Sequence, residues 1–192
     1  MMPPRPLSLR SALVAAAALQ TLAVGWMLWD RISLLSSGRE IRAAVVPVDP
    51  RDLFRGDYVV LGYAFSTGSD VVLPTGTREG DTVYALLKNS GPADWSLSGV
   101  SASPTAPAGD GTVVLKAVVD SVRRGPAPAS AMVGRLRYGI ERFYVPEGTG
   151  RAIENQVREK RIVAVLAVGR DGKAALKGLE ADGSRIADEP LL

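Results

Sequence analysis

The chain contains no cysteine and no histidine. The missing cysteine excludes a disulfide framework, a thiolate nucleophile and a thiolate-ligated metal site. The missing histidine removes the commonest general base and the commonest metal ligand, so Ser-His-Asp, Cys-His and His-ligated zinc mechanisms are excluded as well. No phosphate loop or dinucleotide fingerprint occurs in the chain. We therefore expect no cofactor, no metal and no enzymatic activity.

The charges of the chain nearly balance outside its N-terminus. Of the 23 basic and 20 acidic side chains, Arg5 and Arg10 precede the first apolar run, and the remainder is close to neutral. This balance argues against a nucleic-acid surface. The length of 192 residues and the apolar content of 46% suit one globular domain with a short appendage.

One long apolar run lies near the N-terminus. The stretch "SALVAAAALQTLAVGWMLW", residues 11–29, carries no charge, and as a helix it spans about 28 Å at roughly 1.5 Å per residue. Trp26 and Trp29 at its end are typical of the belt where a helix meets lipid headgroups. We predict a transmembrane signal anchor over 11–29, preceded by a cytoplasmic tail over 1–10.

A cleavable signal peptide is the main alternative to this anchor. Arg5 and Arg10 supply a basic start, and Ala23-Val24-Gly25 offers small residues for cleavage. The continuation of the apolar run through "WMLW" favours an uncleaved anchor. Basic residues flank the run on both sides, so charge does not decide its orientation. The order of short tail, early run and long domain predicts that the domain lies outside the cytoplasm, anchored in the bacterial inner membrane.

The remainder of the chain is typical of a β-rich domain over residues 42–192, joined to the anchor by a linker over 30–41. Gly38 is expected to end the helix, and turn clusters separate short apolar segments, which favours a sandwich or a small barrel. The predicted strands are 42–48, 58–65, 82–88, 95–100, 112–119, 131–140 and 141–145. Ile153 and Val157 stand at i and i+4 in a short predicted helix. The closing stretch "RIVAVLAVGRDGKAALKGL" predicts a terminal hairpin with an Asp-Gly turn.

The stretch "FRGDYVVLGYAF", residues 54–65, combines a charged turn with an apolar strand. Gly56 and Asp57 are typical turn residues. Alternation places Asp57, Val59, Leu61, Tyr63 and Phe65 on one face, and both faces are mostly apolar, which predicts a central strand covered on both sides. The alternative interpretation is a binding site formed by Arg55, Asp57, Tyr58 and Tyr63.

These residues resemble a known family. Gly56-Asp57-Tyr58, Leu61 and Tyr63 spell G-D-Y-x-x-L-x-Y, the signature of the GDYXXLXY family of bacterial membrane-anchored proteins. The stretch "RLRYGIERFYVPEG", residues 135–148, and the closing helix and hairpin are also similar to that family. The resemblance implies an N-terminal anchor, an exported β-rich domain and association with a multi-pass membrane protein of the bacterial envelope. It implies no established activity.

A weaker similarity concerns type I signal peptidases. These enzymes have an N-terminal anchor, a Gly-Asp turn opening an apolar strand, a general-base lysine and a Val-Pro-x-Gly stretch. In this chain the Gly-Asp turn is likewise followed by a lysine, Lys88 or Lys116, and then by "YVPEG". The nucleophile is missing, because no Ser or Thr lies between Ser37 and Ser66 and Val48 stands near the expected position. Without a hydroxyl, a deprotonated lysine has nothing to activate. A hydrolase or a degenerate relative of these proteases is therefore the alternative function.

A second cluster of polar and aromatic residues spans 135–144. Arg135, Arg137, Tyr138, Glu141, Arg142 and Tyr144 mix cations with aromatics, a combination suited to an anionic ligand or the acidic loop of a partner. As plain strand residues they predict Arg-Glu cross-strand pairs on a solvated face. The aspartates at 49, 52 and 57 lack a calcium-loop motif and are interpreted as solvated turn charges.

The leading functional hypothesis is a non-catalytic binding or assembly module. Its candidate binding residues are Arg55, Asp57, Tyr58, Tyr63, Arg137, Tyr138, Glu141, Arg142 and Tyr144.

Overall fold

The computed structural model describes residues 8–47, 58–67, 70–104, 109, 111–125, 131–144, 153, 157, 159 and 162–188. One helix, α1 (Leu9–Ser37), comes first. The strands that follow in the described part of the chain are β1 (Arg39–Val46), β2 (Tyr58–Val60), β3 (Gly62–Tyr63), β4 (Val71–Val72), β5 (Thr82–Asn89), β6 (Trp95–Ser101), β7 (Thr112–Arg124), β8 (Met132–Arg137), β9 (Arg142–Tyr144), β10 (Ile162–Val168), β11 (Ala174–Ala181) and β12 (Ser184–Asp188).

The helix α1 contains the apolar run identified in the sequence. Its mean hydropathy reaches 1.7, and none of the apolar window is buried within the structure. Leu22 and Trp26 are each 72% exposed, which suits contact with lipid better than contact with water. The helix is long and apolar enough to span a membrane.

The chain divides into two compact units, Met1–Ser33 and Leu34–Leu192, so the last turn of α1 belongs to the β-rich unit. Gly38 ends the helix, and its N–H donates to the Leu34 carbonyl at 2.9 Å. A Cβ at Gly38 would lie 2.5 Å from that same oxygen, so glycine is required for this exit. The strand β1 begins one residue later, three residues before the predicted start at Arg42. Residues 30–41, assigned to a linker, are therefore mostly helix and strand.

The strands of the second unit form two five-stranded sheets and one pair. The first sheet has the order β12-β11-β10-β1-β3, the second has the order β4-β8-β7-β5-β6, and β2 pairs with β9. The described ladders are antiparallel. This confirms the predicted mainly β domain after an N-terminal apolar helix, with a nearly closed, barrel-like sheet.

At least four hydrogen bonds between described residues join the two five-stranded sheets, one of them from the Arg39 guanidinium in β1 to the Thr112 carbonyl in β7 at 3.1 Å. Near the start of β6, the N–H of Ala44 donates to the Ala93 carbonyl at 2.8 Å, and the Trp95 indole donates to the Arg42 carbonyl at 2.7 Å. On the opposite side, the Gly172 carbonyl at the hairpin tip accepts the Lys116 N–H at 2.7 Å. These links hold β7 and the start of β6 against the first sheet, and buried residues of both sheets belong to one core.

The core follows from alternation along the strands. In β5 the side chains of Val83, Ala85 and Leu87 are buried while their neighbours are more exposed, and the strand β1 shows the same pattern. The strand β10 is apolar almost throughout and buried on both faces. The predicted terminal hairpin is confirmed by the pairing of β10 with β11. Gly172 in its turn has φ +82°, a conformation that favours glycine.

The predicted strand over 58–65 is corrected in two ways. It breaks at Leu61 into β2 and β3, because its first half pairs with β9 and its second half with β1. It also ends at Tyr63, because Ala64 and Phe65 belong to the turn that follows. Val59, Leu61, Tyr63 and Phe65 are buried as predicted. On the other face Gly62 is buried, Tyr58 and Val60 are half-buried, and the turn residue Ala64 is exposed.

Other boundaries moved as well. The strand predicted over 131–140 ends at Arg137, where a turn carrying Gly139 leads into β9. The strands β4 and β12 were not predicted, since Val71–Val72 is very short and Ser184–Asp188 follows closely on the hairpin. Ile153 and Val157 are helical and buried, as their spacing predicts; the remainder of that predicted helix lies outside the described residues, apart from Glu159.

Candidate functional site

The motif strand, which is the part of the G-D-Y-x-x-L-x-Y stretch in β2 and β3, divides into two parts with different surroundings. After β2, the Leu61 N–H donates to the Glu141 carbonyl at 2.8 Å, and Gly62 and Tyr63 then pair with β1. Leu61 is 1% exposed and Tyr63 is fully buried. The Leu-x-Tyr half of the motif therefore packs inside the domain and forms no exposed surface.

Tyr63 is held by its ring, its hydroxyl and its backbone. Its hydroxyl donates to the Ile140 carbonyl at 2.8 Å, and its ring stacks on Phe65 with centroids 5.2 Å apart. Its own carbonyl accepts the N–H groups of Ser66 and Thr67 at 2.9 and 2.8 Å, which closes the turn after β3. Burial raises the pKa of the Tyr63 hydroxyl well above its ordinary value, with a smaller contribution from the charge of Glu141. Tyr63 is a structural residue.

Glu141 stabilises the turn between β8 and β9. Its two carboxylate oxygens accept the N–H groups of Tyr138 and Gly139 at 2.6 and 2.8 Å. Gly139 has φ +79°, so this tight turn presents two adjacent amides to one carboxylate. The predicted role of Glu141 in Arg-Glu cross-strand pairs is replaced by this role as a turn cap.

Tyr138 lies beside Tyr63 in the same aromatic cluster. Its ring meets Phe65 edge to face, with centroids 5.3 Å apart, and only 6% of the residue is exposed. The Tyr138 hydroxyl has no hydrogen-bond partner among the residues that the structure describes. Burial raises the pKa of this hydroxyl, with a further contribution from Glu141. A desolvated hydroxyl without a partner carries an uncompensated cost of burial.

A cavity of about 300 Å³ opens beside this cluster. Its walls come from the turn after β3, from β4, from the start of β6 and from β8. The lining residues are Ala64, Phe65, Ser66, Thr67, Val71, Asp94, Trp95, Ser96, Leu97, Gly134, Arg135, Leu136 and Tyr138. The motif strand therefore leads, through the stacked rings of Tyr63 and Phe65, directly into the wall of this cavity.

A separate aromatic patch, formed by Tyr58, Arg142 and Tyr144, lies on the outer face of β2 and β9. The two tyrosine rings stand opposite each other in the ladder with centroids 5.9 Å apart. The Arg142 guanidinium lies 5.4 Å from the centre of the Tyr58 ring, within cation–π range. Tyr144 is 57% exposed. This patch is an exposed group of residue types that are enriched at protein interfaces.

The structure therefore separates the predicted binding residues. Tyr58, Arg142 and Tyr144 come together in the patch, whereas Tyr63, Tyr138 and Glu141 form the aromatic cluster and its turn. Arg137 is exposed at the end of β8, opposite Val118. Arg55, Asp57 and the aspartates at 49 and 52 lie outside the described residues. Among the described residues, no group of three acidic side chains is arranged to hold a metal ion.

Sequence reasoning missed the cavity because its walls come from four separate segments. Phe65, Trp95 and Leu97 are apolar lining residues and were interpreted only as strand residues. One signal was present: Trp95 is the single tryptophan outside the N-terminal apolar run. Its indole bonds to the Arg42 carbonyl, which fixes the start of β6 beside β1.

The two lysines considered as general bases lie on the second sheet. Lys88 is exposed on β5 and stands opposite Ser96 of β6 in the ladder. Lys116 is half-buried on β7, and its backbone N–H binds the tip of the terminal hairpin. Only Lys88 therefore faces a serine across a strand pair.

The comparison with protein families gives one match. The GDYXXLXY protein family model covers residues 20–179. No curated protein and no solved structure matches the chain. The similarity to type I signal peptidases stays a prediction from the sequence. Because the family model covers most of the chain, from within α1 to β11, this protein belongs to the GDYXXLXY family.

Proposed function

We propose that this protein is a membrane-anchored, non-catalytic binding or assembly module of the bacterial envelope, and that it associates with a multi-pass membrane protein through the patch of Tyr58, Arg142 and Tyr144. The exposure of Tyr144 carries this proposal, because a tyrosine that is 57% exposed contributes little to folding and is available to a partner. The placement of an arginine over a neighbouring tyrosine adds a cation beside two aromatic rings.

The apolar helix α1 supports the membrane location. It exposes its large apolar side chains on every side, whereas a water-exposed helix normally has a polar face. A domain tethered in this way meets membrane proteins in two dimensions, which raises its effective concentration at their exposed loops.

Sequencing the N-terminus of the protein purified from membranes tests the anchor. We expect the chain to retain α1. A chain that begins at Trp26 would contradict the anchor and indicate secretion. The variant Ser103→Cys tests the orientation, because the protein has no other cysteine and position 103 is exposed. A membrane-impermeant maleimide should label it in spheroplasts, and labelling only after lysis would reverse the orientation.

Site-specific photo-crosslinking tests the patch itself. A photoreactive phenylalanine analogue at Tyr144 should form an adduct with an integral membrane protein of several spans, identified by mass spectrometry. The same analogue at Val72 is the matched control, because Val72 is 65% exposed but lies on β4. Equal adducts from both positions, or none from Tyr144 in membranes, would contradict the proposal.

The alternative function, a hydrolase with a lysine base, draws on one observation: Lys88 stands opposite Ser96 across the β5–β6 ladder. A serine and a lysine on neighbouring strands are a pairing that nucleophilic catalysis uses. A screen of peptide and ester substrates with the full chain in detergent separates the two functions. Turnover that disappears in Lys88→Met and in Ser96→Ala would favour the hydrolase over the binding module.

A further inference from the structure

The strand β6 is an edge strand whose start is bonded to β1 and which comes close to β4, but its sequence lacks the usual protection of an edge. It lies at the end of its sheet, with β5 as its strand neighbour in the described part, and its sequence "WSLSGVS" contains no charge and no proline. Edge strands are normally short, charged or interrupted by proline, because their free backbone groups pair with other chains. The other sheet ends follow this rule: β3 and β4 have two residues each, and β12 carries Arg185 and Asp188.

The free backbone groups of β6 lie next to the cavity. The Ala93 carbonyl points away from β5, since it accepts the N–H of Ala44 in β1 at 2.8 Å. Backbone groups alternate in direction along an antiparallel strand, so those of Trp95 and Leu97 also point away from β5. Both residues line the cavity. An added strand would therefore find, at the cavity wall, N–H and carbonyl groups that have no backbone partner among the described residues.

The cavity also provides specific contacts for the side chains of such a strand. Phe65, Val71 and Leu136 present apolar surface across from β6. Tyr138 belongs to the same lining, while its hydroxyl is buried behind it. A strand that enters here would bury apolar side chains against this lining.

Arg135 offers a carboxylate of the occupant a charged partner at the cavity. Arg135 is exposed and lines the cavity, and its Nε makes one long hydrogen bond of 3.4 Å to the Ser121 hydroxyl. A guanidinium binds a carboxylate through two parallel N–H groups. The acidic residue of the lining, Asp94, already accepts the Ser90 hydroxyl at 3.2 Å.

We propose that β6 and this cavity bind an extended, carboxylate-bearing segment of a partner protein by strand addition, with the carboxylate on Arg135. A second copy of this chain fits less well, because its own β6 has no carboxylate between Trp95 and Ser101 to offer to Arg135. The proposal rests on the proposed binding function but uses a surface other than the patch on β2 and β9. The two can therefore be tested separately.

Fluorescence anisotropy with the full chain in nanodiscs tests the proposal. The probes are labelled heptapeptides, the length of β6, in which Val, Leu or Phe alternates with Thr and one central position is Glu. We expect saturable binding of at least one peptide. Methylating alternate backbone nitrogens on the pairing edge removes the donors that strand addition needs, so binding should weaken about tenfold or more, a loss of about 1.4 kcal/mol.

Charge reversal separates Arg135 from general electrostatics. Replacing the Glu of the peptide by Lys should weaken binding about tenfold, and Arg135→Glu should reverse this preference, as expected for an ion pair at a partly desolvated site. Arg137→Glu is the matched control, since Arg137 is exposed on the same strand but outside the cavity lining. It should leave binding unchanged, as should Tyr144→Ala in the patch.

Several results would overturn the proposal. These are the absence of saturable binding, equal binding of the N-methylated peptide, an equal effect of Arg135→Glu and Arg137→Glu, and a dimer crosslinked through cysteines introduced at Ser98. Thermal melts of each variant verify that the domain is folded. If the peptides fail while the Tyr144 crosslink to a membrane protein persists, the strand-addition site is refuted and the patch stands.

Discussion

The two buried tyrosines of the aromatic cluster provide a matched test of the structure. Tyr63 donates its hydroxyl to the Ile140 carbonyl at 2.8 Å, whereas the Tyr138 hydroxyl has no partner among the described residues. Replacing each by phenylalanine removes one oxygen and keeps the ring. Any difference between the variants therefore reports on the hydrogen bond rather than on packing.

The magnitudes follow from the state of the atoms left behind. Tyr63→Phe leaves a buried carbonyl without its donor, which costs about 1–3 kcal/mol of unfolding free energy. Tyr138→Phe removes a hydroxyl that is desolvated without compensation, so it should be neutral or stabilise the domain by up to about 1 kcal/mol. Tyr63→Ala should cost more, about 3–5 kcal/mol, because it also leaves a cavity.

Thermal melts of the full chain in detergent, followed by the β-sheet signal in circular dichroism, measure these differences. For a protein of this size, 1 kcal/mol corresponds to a shift of about 2–4 °C. Equal shifts for Tyr63→Phe and Tyr138→Phe would refute the reasoning. If Tyr63→Ala instead melted like the wild type, Tyr63 would not be a core residue, and the binding-site interpretation of the motif would be restored.

Three further predictions follow from the same structure. Gly134→Ala should destabilise the domain by about 1–3 kcal/mol, because its Cβ would lie 2.0 Å from the Ser121 carbonyl oxygen; denaturant titration measures this loss. Trp95→Phe should cost about 1–3 kcal/mol by leaving the Arg42 carbonyl without the indole donor at 2.7 Å, whereas a wild-type melting temperature would contradict that bond. Burial raises the pKa of the hydroxyls of Tyr63 and Tyr138. Their contribution to the free energy of unfolding is therefore complete below the ordinary tyrosine pKa of about 10 and is lost as the pH rises above it. The variant with both tyrosines replaced by phenylalanine should lose less stability at alkaline pH than the wild type, as thermal melts across that pH range measure.

The parts of the fold that the sequence predicts well are those with strong local signals. The helix α1 is marked by an uncharged run and ended by Gly38, and the terminal hairpin by two apolar runs around Asp171 and Gly172. Each signal acts within a few residues, so no knowledge of distant partners is needed. The type of each element was predicted correctly, although α1 extends to Ser37, beyond the anchor predicted over 11–29.

The motif strand shows where local reasoning fails. Its apolar alternation predicts one continuous strand, but the choice of partner changes at Leu61, from β9 to β1. That change depends on residues about 80 positions later and about 15 positions earlier in the chain.

The candidate sites follow the same division. The patch on β2 and β9 combines residues that the sequence analysis selected for their chemistry, and pairing brings Tyr58 opposite Tyr144. The cavity combines residues that were individually unremarkable, such as Phe65 and Leu97, and it exists only because the turn after β3 meets β6 and β8. A site of this kind is a product of topology and cannot be found by residue type alone.

The described part of the family motif therefore connects two surfaces. It does so through the consecutive strands β2 and β3. At its start, Tyr58 packs under Arg142 in the patch, and at its end Tyr63 stacks on Phe65 in the cavity wall. Between them, Leu61 is anchored to the Glu141 backbone, and the Glu141 side chain holds the turn that carries Tyr138. Because strands in a packed core move little independently, a partner that bound the patch would meet a cavity whose aromatic wall is already in place.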